Sequence, residues 1–321
     1  MTQDSSRHSG LSTSEEWRPG VSLQAVRQRA ELYTQVRDFF RQRDVLEVDT
    51  PLLSAAAATD PNIESLMLAE PRLYLQTSPE FAMKRLLASG SGSIYQIAKA
   101  FRGGESVRRH RPEFTMLEWY RVGFSYQQLM DEVADLYREL VADRPVKKVT
   151  YRELFVNQFN LDPHLVGVEE LGDLADTHTG YRMDAQDDKD SLLDLLMSHL
   201  IEPQLGDGCL TFVYDYPAGQ CALAQVAADQ QGQPVAQRFE LYADGFELAN
   251  GYQELTDWRE QERRFTADNI KRARRGQQQL PLDRTLLGAL QHGLPECAGV
   301  ALGLDRLLML KLGVADIGKV L

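Results

Sequence analysis

Residues 94–102 and 113–121 read as two strands joined by a polar loop that carries Gly103, Gly104, Arg108, Arg109, His110 and Arg111. Such a connection makes a hairpin, and a hairpin commits the chain to antiparallel pairing. Side chains alternate along a strand, so Phe114, Met116, Glu118 and Tyr120 share one face of the second strand while Thr115, Leu117 and Trp119 share the other. One face is therefore mixed polar and aromatic. On an arbitrary strand, a carboxylate such as Glu118 is most simply a solvated residue on an exposed sheet face. Here the strand follows Phe101-Arg102 and a run of basic side chains, the arrangement expected where a sheet face holds an anionic ligand.

The rest of the chain fits around that hairpin. Residues 1–20 are rich in Ser, Thr, Gly and charge and are expected to form a flexible tail. From Ser22, a natural N-cap, Leu23, Val26, Ala30, Tyr33, Val36, Phe39 and Phe40 recur at helical spacing, and the helix is expected to end near Asp44. Residues 45–48 read as a short strand that Thr50-Pro51 ends. A strand at 72–76 leads into Ser78-Pro79-Glu80, which supplies an N-cap, a proline at the first helical position and an acid in the first turn of a helix to about residue 89. Residues 126–141 are helical, and residues 145–205 are expected to be a helical insertion. Strands return at 210–214, 223–227, 237–242 and 246–250, followed by helices at 257–275 and 283–292 and a last strand and helix over 299–312. The expected fold is α+β, a single domain over residues 21–321 in which helices flank an antiparallel sheet.

Composition narrows the partners. Acidic residues outnumber basic ones by 47 to 35, and the formal charge of -12 gives no general attraction to a nucleic-acid backbone. Cys209, Cys221 and Cys297 are too few and too scattered for a disulfide framework or a zinc cluster, which fits a reducing cytoplasm. No apolar run approaches the roughly 20 residues that span a bilayer, and the N-terminus lacks the charged-then-apolar order of a signal peptide, so neither export nor membrane anchoring is expected.

Phe101-Arg102, His110 and Pro112-Glu113-Phe114-Thr115-Met116-Leu117-Glu118 together resemble motif 2 of the class II aminoacyl-tRNA synthetases in its lysyl form. The long helix ending in Leu46-Glu47-Val48-Asp49-Thr50-Pro51 resembles motif 1, and Gly303-Leu304-Asp305-Arg306 resembles motif 3. A fourth segment, Phe239-Glu240-Leu241 through Glu247-Leu248-Ala249-Asn250-Gly251-Tyr252-Gln253-Glu254-Leu255, resembles the lysyl family's metal and substrate strand. Three motifs in the family's order are a specific signal, and the likeness covers residues 22–321.

The resemblance implies a role for each matching residue. Arg102 would clamp the ATP α-phosphate with its planar fork and stabilise the charge that builds up during in-line displacement, which makes it the catalytic candidate. His110 and Arg306 would hold the terminal phosphates, and Phe114 would stack on one face of adenine with Arg306 over the other. Gly103, Gly104, Leu248 and Gly303 complete the implied ATP-binding set. Many synthetases carry an acid two positions after the motif 2 arginine to read the adenine amino group; that place is Gly104 here, and Glu105 stands in for it, with the glycines freeing the loop. Arg111 replaces the family's asparagine and receives no role.

Glu247 and Glu254 are the implied magnesium ligands, hard carboxylate oxygens that would bridge to ATP phosphates. Ser78, Pro79, Glu80, Asn250 and Glu254 would surround the amino acid, and Ser78 and Glu80 also serve as a helix cap and a dipole contact. Glu118 and Tyr120 would receive its ammonium group, because a buried cation needs a carboxylate partner. Ala301 stands where lysyl synthetases have glycine, and a methyl there would alter which amino-group position the pocket accepts.

A complete lysyl-tRNA synthetase carries an oligonucleotide-binding barrel before motif 1, whereas this chain starts shortly before the motif 1 helix, so anticodon-dependent tRNA binding is not expected. A short lysyl-like core with these motifs resembles the elongation factor P beta-lysine ligases. That resemblance implies ATP and Mg2+ as cofactors, adenylation of (R)-beta-lysine, and its transfer to a lysine side chain of elongation factor P. It also implies a cytoplasmic homodimer, with the apolar stripe from Leu23 to Phe40 buried in an isologous contact. Two other readings stand beside it. One is a lysyl-type adenylating enzyme that uses tRNA or a free amine; the other is a non-catalytic amino-acid-binding paralogue, against which Arg102, His110, Glu247, Glu254 and Arg306 all argue.

Overall fold

The computed structural model describes residues 18–104, 111–184 and 187–321. Ser22 caps α1 (Leu23–Arg41), its hydroxyl accepting the Ala25 N–H at 3.1 Å. The stripe of α1 does not face outward. Leu32, Val36, Phe39 and Phe40 are buried in the chain's own core, with Phe40 stacked on Tyr95 at 4.3 Å between ring centres. An interface built on that whole stripe is thereby corrected: of its early residues, Leu23 and Val26 remain exposed.

Next come β1 (Leu46–Glu47), β2 (Leu53–Ser54), β3 (Met67–Leu68) and β4 (Leu73–Leu75); β2, β4 and β3 form a small antiparallel sheet that the sequence pattern did not reveal. Helix α2 (Glu80–Ala88) precedes the hairpin of β5 (Ile94–Phe101) and β6 (Glu113–Val122), which pairs without a break from Ile94↔Tyr120 to Phe101↔Glu113. A capping box of Ser125 and Gln128 opens α3 (Tyr126–Leu140). The segment expected to be a helical insertion contains β7 (Val146–Thr150), α4 (Tyr151–Phe159), α5 (Val168–Thr179) and α6 (Lys189–Leu196). Then follow β8 (Leu210–Pro217), β9 (Val226–Ala228), β10 (Pro234–Ala243), β11 (Phe246–Gln253), α7 (Trp258–Arg274), α8 (Arg284–Gly293), β12 (Cys297–Gly303) and α9 (Leu304–Leu312).

Among the described residues, nine strands make one sheet in the order β1-β5-β6-β12-β11-β10-β8-β7, with β9 alongside β10. Its middle is antiparallel, as the hairpin pattern requires. Its edges are not: β1 joins β5 in parallel and β7 joins β8 in parallel, so the sheet is mixed. The β10–β11 turn holds Asp244 and Gly245 at φ of 51° and 69°, and this positive pair lets a two-residue loop follow the twist of its strands.

One face of the sheet carries α1, α3 and α9 over Leu117, Trp119, Val300 and Leu302. Among the described residues, helices cover the opposite face at its two ends. Helices α2 and α8 pack on Ile94, Tyr120 and Cys297, while α4, α5 and α6 pack on Val213, Tyr216, Ala236 and Tyr242. Between these two coverings the central strands β6, β12 and β11 stay open, and a cleft lies over them. Among the described residues, no helix is long and apolar enough to cross a membrane.

Candidate active site

The cleft has a volume of about 1210 Å³, and Arg102, Phe114, Glu118, Glu247, Ala301 and Arg306 are among its lining residues. Strand register explains why residues so far apart meet. Ala301 of β12 lies directly between Glu118 of β6 and Asn250 of β11, and Gly299 lies between Tyr120 and Tyr252. Because the alternate residues Val300 and Leu302 enter the core, Gly299, Ala301 and Gly303 must face the cleft. Gly299 cannot be larger: a Cβ there would come within 2.3 Å of Glu254 Oε1 and 2.4 Å of the Tyr120 ring. Tyr120 and Glu254 thus converge over one glycine, and the Tyr120 hydroxyl reaches on to Glu118.

This end of the cleft is acidic and dry. Glu118 is 2% exposed; its Oε1 accepts the Tyr120 hydroxyl at 2.5 Å, and the Ser78 hydroxyl also hydrogen-bonds the carboxylate. Burial first, and then repulsion from Glu80, push its carboxyl up to about 8. A cation brought beside it would favour its ionised form. Ser78 Oγ accepts the Glu80 N–H at 3.0 Å, which fixes the start of α2 beside the cleft. Asn250 donates to Glu240 at 3.1 Å and leaves its own buried carbonyl oxygen without a partner.

Sequence reasoning missed Lys84. Its ammonium lies 2.7 Å from Glu80 Oε1 and 2.6 Å from Glu254 Oε2. The Glu80-to-Lys84 spacing of one helical turn was visible, but Glu254 comes from the far side of the chain.

The other end is basic. Strand β5 ends at Phe101 and delivers Arg102 into the cleft, its guanidinium 5.2 Å from the centre of the Phe114 ring. Arg306 of α9 donates to the Glu247 carbonyl at 2.6 Å and lies 3.5 Å from the Glu247 carboxylate. Asp305, its neighbour in the motif, has a structural task. It is buried and accepts from Arg29 and from the Thr115 N–H, each at 2.5 Å, which ties α1, β6 and α9 together.

The magnesium pair needs correction. Glu247 and Glu254 stand seven residues apart along one extended segment, roughly 20 Å of chain at the usual strand rise, and Glu254 is committed to Lys84. One ion does not bridge them. On the β10–β11 hairpin Glu247 lies opposite Tyr242, two residues along β10 from Glu240, whose charge reaches it. Enclosure in the cleft, followed by the charge of Glu240, raises the Glu247 carboxyl, against the pull of Arg306, Arg238 and Arg102. Glu240 already accepts from Tyr216 at 2.7 Å, Tyr242 at 2.5 Å, Asn250 and Arg238, so Glu247 is the more available carboxylate of the two. Among the described residues, no group of three or more His, Cys, Asp or Glu is arranged to hold a metal by itself. A carboxylate pair that leaves most ligands to phosphates and water suits magnesium.

Of the other predicted residues, Ser78, Glu80, Leu248 and Gly303 line the cleft, whereas Pro79, Gly103 and Gly104 do not. Gly104 takes a φ of 72°, and Gly103 donates to the Glu64 carbonyl at 2.7 Å; a Cβ on Gly103 would come within 2.9 Å of the Glu64 side chain. Glu105 and His110 lie outside the described residues.

Comparison with known proteins accounts for this arrangement. The family model described as "tRNA synthetases class II (D, K and N)" matches residues 16–321. The chain belongs to this family. It is similar over nearly its full length to proteins named elongation factor P--(R)-beta-lysine ligase. The Vibrio cholerae protein is 47% identical over 318 residues, covering 96% of this chain and 97% of that protein. The Vibrio campbellii protein is 46% identical, covering 95% of this chain and 96% of its own length. The Salmonella paratyphi A protein is 43% identical over 320 residues, covering 97% of this chain and 98% of its own.

Proposed function

We infer that this protein is an ATP-dependent ligase that adenylates (R)-beta-lysine and transfers it to a lysine side chain of elongation factor P. The observation that carries the reading is Glu118, a carboxylate buried at one end of the cleft beside Glu80 and Glu254 and met there by the hydroxyls of Tyr120 and Ser78, opposite an end lined by Arg102 and Arg306. A molecule with ammonium at one end and a carboxylate to be activated at the other fits that polarity. The named activity of the Vibrio and Salmonella relatives supports it.

In the first step, a carboxylate oxygen of the amino acid attacks the α-phosphorus of ATP, and the bond to pyrophosphate breaks. Arg102 spreads the growing charge on the α-phosphate over its fork, and Phe114 beside it offers a ring for adenine. Arg306 holds the leaving phosphates, and Glu247, with the charge of Glu240 near it, is the residue that would hold a magnesium ion, which would supply further screening of the phosphate charge. In the second step, the neutral amine of the acceptor lysine attacks the acyl carbon. AMP leaves, the attacking nitrogen loses a proton, and an amide forms.

An acceptor that works in translation implies a cytoplasmic location. The formal charge of -12 gives no attraction to a phosphate backbone, which favours a protein acceptor over tRNA. For the homodimer, Leu23, Val26, Leu46, Leu53, Met67 and Leu68 supply exposed apolar surface on α1, β1 and the small sheet.

The test is ATP–pyrophosphate exchange without tRNA. The reading predicts exchange that depends on (R)-beta-lysine and runs faster with it than with alpha-lysine. Absence of amino-acid-dependent exchange would overturn it.

A further inference from the structure

The core face of α2 buries Met83 and Leu87, and beside them it buries Lys84, which is 1% exposed. Nothing in the hydrophobic pattern requires a lysine there, and an ammonium out of water is costly unless carboxylates meet it. Two do: Glu80 from the same helix and Glu254 from just beyond the end of β11. Burial works against the charge, but Glu254 and then Glu80 outweigh it and hold the amine protonated well above the usual lysine range.

Glu118 completes the cluster without a cation of its own. With Glu118 ionised, Glu80, Glu118 and Glu254 set against Lys84 would leave two negative charges at this end of the cleft for a cation to meet. A diamino acid brings two ammonium groups. Lys84 does not line the cleft, so its influence passes through its two partners.

We propose that Lys84 is a positioning residue of the amino-acid pocket: its ammonium fixes Glu80 and Glu254 around the floor of the site that receives the substrate's ammonium. The proposal rests on the assignment of this end of the cleft to the amino acid. Without Lys84, Glu80 and Glu254 lose the cation that joins them and repel one another, and the ammonium site loses its geometry. Arg102, Phe114 and Arg306 at the other end keep their contacts.

Lys84→Met keeps the length and apolar body of the side chain and removes the charge; Lys84→Arg keeps the charge and changes the shape. Pyrophosphate exchange with (R)-beta-lysine and with alpha-lysine, after circular dichroism confirms folding, reads the amino-acid KM, the ATP KM and kcat. Lys84→Met is expected to raise the amino-acid KM about tenfold or more, with the ATP KM held within about twofold, and Lys84→Arg to fall between it and the parent. A packing role predicts the reverse order, with Lys84→Met near the parent and Lys84→Arg impaired, and that order would overturn the proposal. So would a loss of kcat at unchanged amino-acid KM. If Lys84→Met does not fold, Lys84→Gln carries the same expectation. Glu118→Gln serves as the control for the pocket: an unchanged amino-acid KM there sinks the pocket assignment, whereas a raised KM there with a normal Lys84→Met enzyme sinks only the role of Lys84.

Discussion

Glu118→Gln separates a binding carboxylate from a merely buried one. The substitution preserves volume and the hydrogen bond from Tyr120, which sits 2.5 Å from Oε1 in the parent, and removes only the charge. Truncating one side of a buried charge pair costs about 2–5 kcal/mol. At about 1.4 kcal/mol per tenfold, the lower end already predicts an amino-acid KM raised about 30-fold. The assay is pyrophosphate exchange at saturating ATP, and the ATP KM should hold.

The same residue predicts a pH dependence. Its carboxyl is pushed up to about 8, chiefly by burial. Only the ionised form meets an ammonium, so kcat/KM for the amino acid should rise as pH climbs toward that value, and the mutant should lose this limb. Stability runs the other way. A carboxyl whose folded value lies above its unfolded one, about 4.3, imposes no penalty below the unfolded value and an increasing one up to the folded value. Glu118→Gln removes the penalty, so the mutant should melt higher than the parent at pH 8 and show little of that gain at pH 4. A mutant with the parent's KM, the parent's pH limb and a lower melting temperature would show that Glu118 is a structural residue and that the reasoning is wrong.

Three further outcomes follow from the geometry. Arg102→Ala should leave the fold intact and lower turnover about 100-fold or more, read as pyrophosphate exchange; near-normal exchange would mean that the phosphate end is misassigned. Ala301→Gly removes the one methyl that projects between Glu118 and Asn250 and should shift the ratio of kcat/KM toward alpha-lysine by about 1–3 kcal/mol, with adenylation retained; an unchanged ratio would return Ala301 to ordinary packing. Sedimentation at micromolar concentration should show a dimer, and a species of only 36.3 kDa would contradict it.

The hairpin of β5 and β6, the cap at Ser22 and the alternation along β6 were legible because they are local: each follows from spacing within one or two elements. Lys84 was not legible, because half its meaning lies in Glu254, which reaches it only through the fold. The surroundings of the magnesium candidates were hidden for a related reason: Glu240 to Glu247 and Glu247 to Glu254 are the same distance apart in sequence, and only the turn at Asp244 and Gly245 puts the first two on neighbouring strands while the other two stay on one extended segment. The parallel edges escaped too, since β1 and β7 pair with strands that no hairpin connects to them. The stripe on α1 correctly announced a buried face but not what would bury it, because periodicity is the same for a core and for an interface.

The central claim is the transfer, and mass spectrometry of intact elongation factor P tests it most directly. Incubated with this enzyme, ATP, magnesium and (R)-beta-lysine, the factor should gain one lysyl residue, and peptide fragmentation should find it on a lysine side chain. Alpha-lysine should give slower modification, and omission of ATP should give none. An unmodified factor in the presence of an enzyme that forms the adenylate would contradict the account and identify a different acceptor.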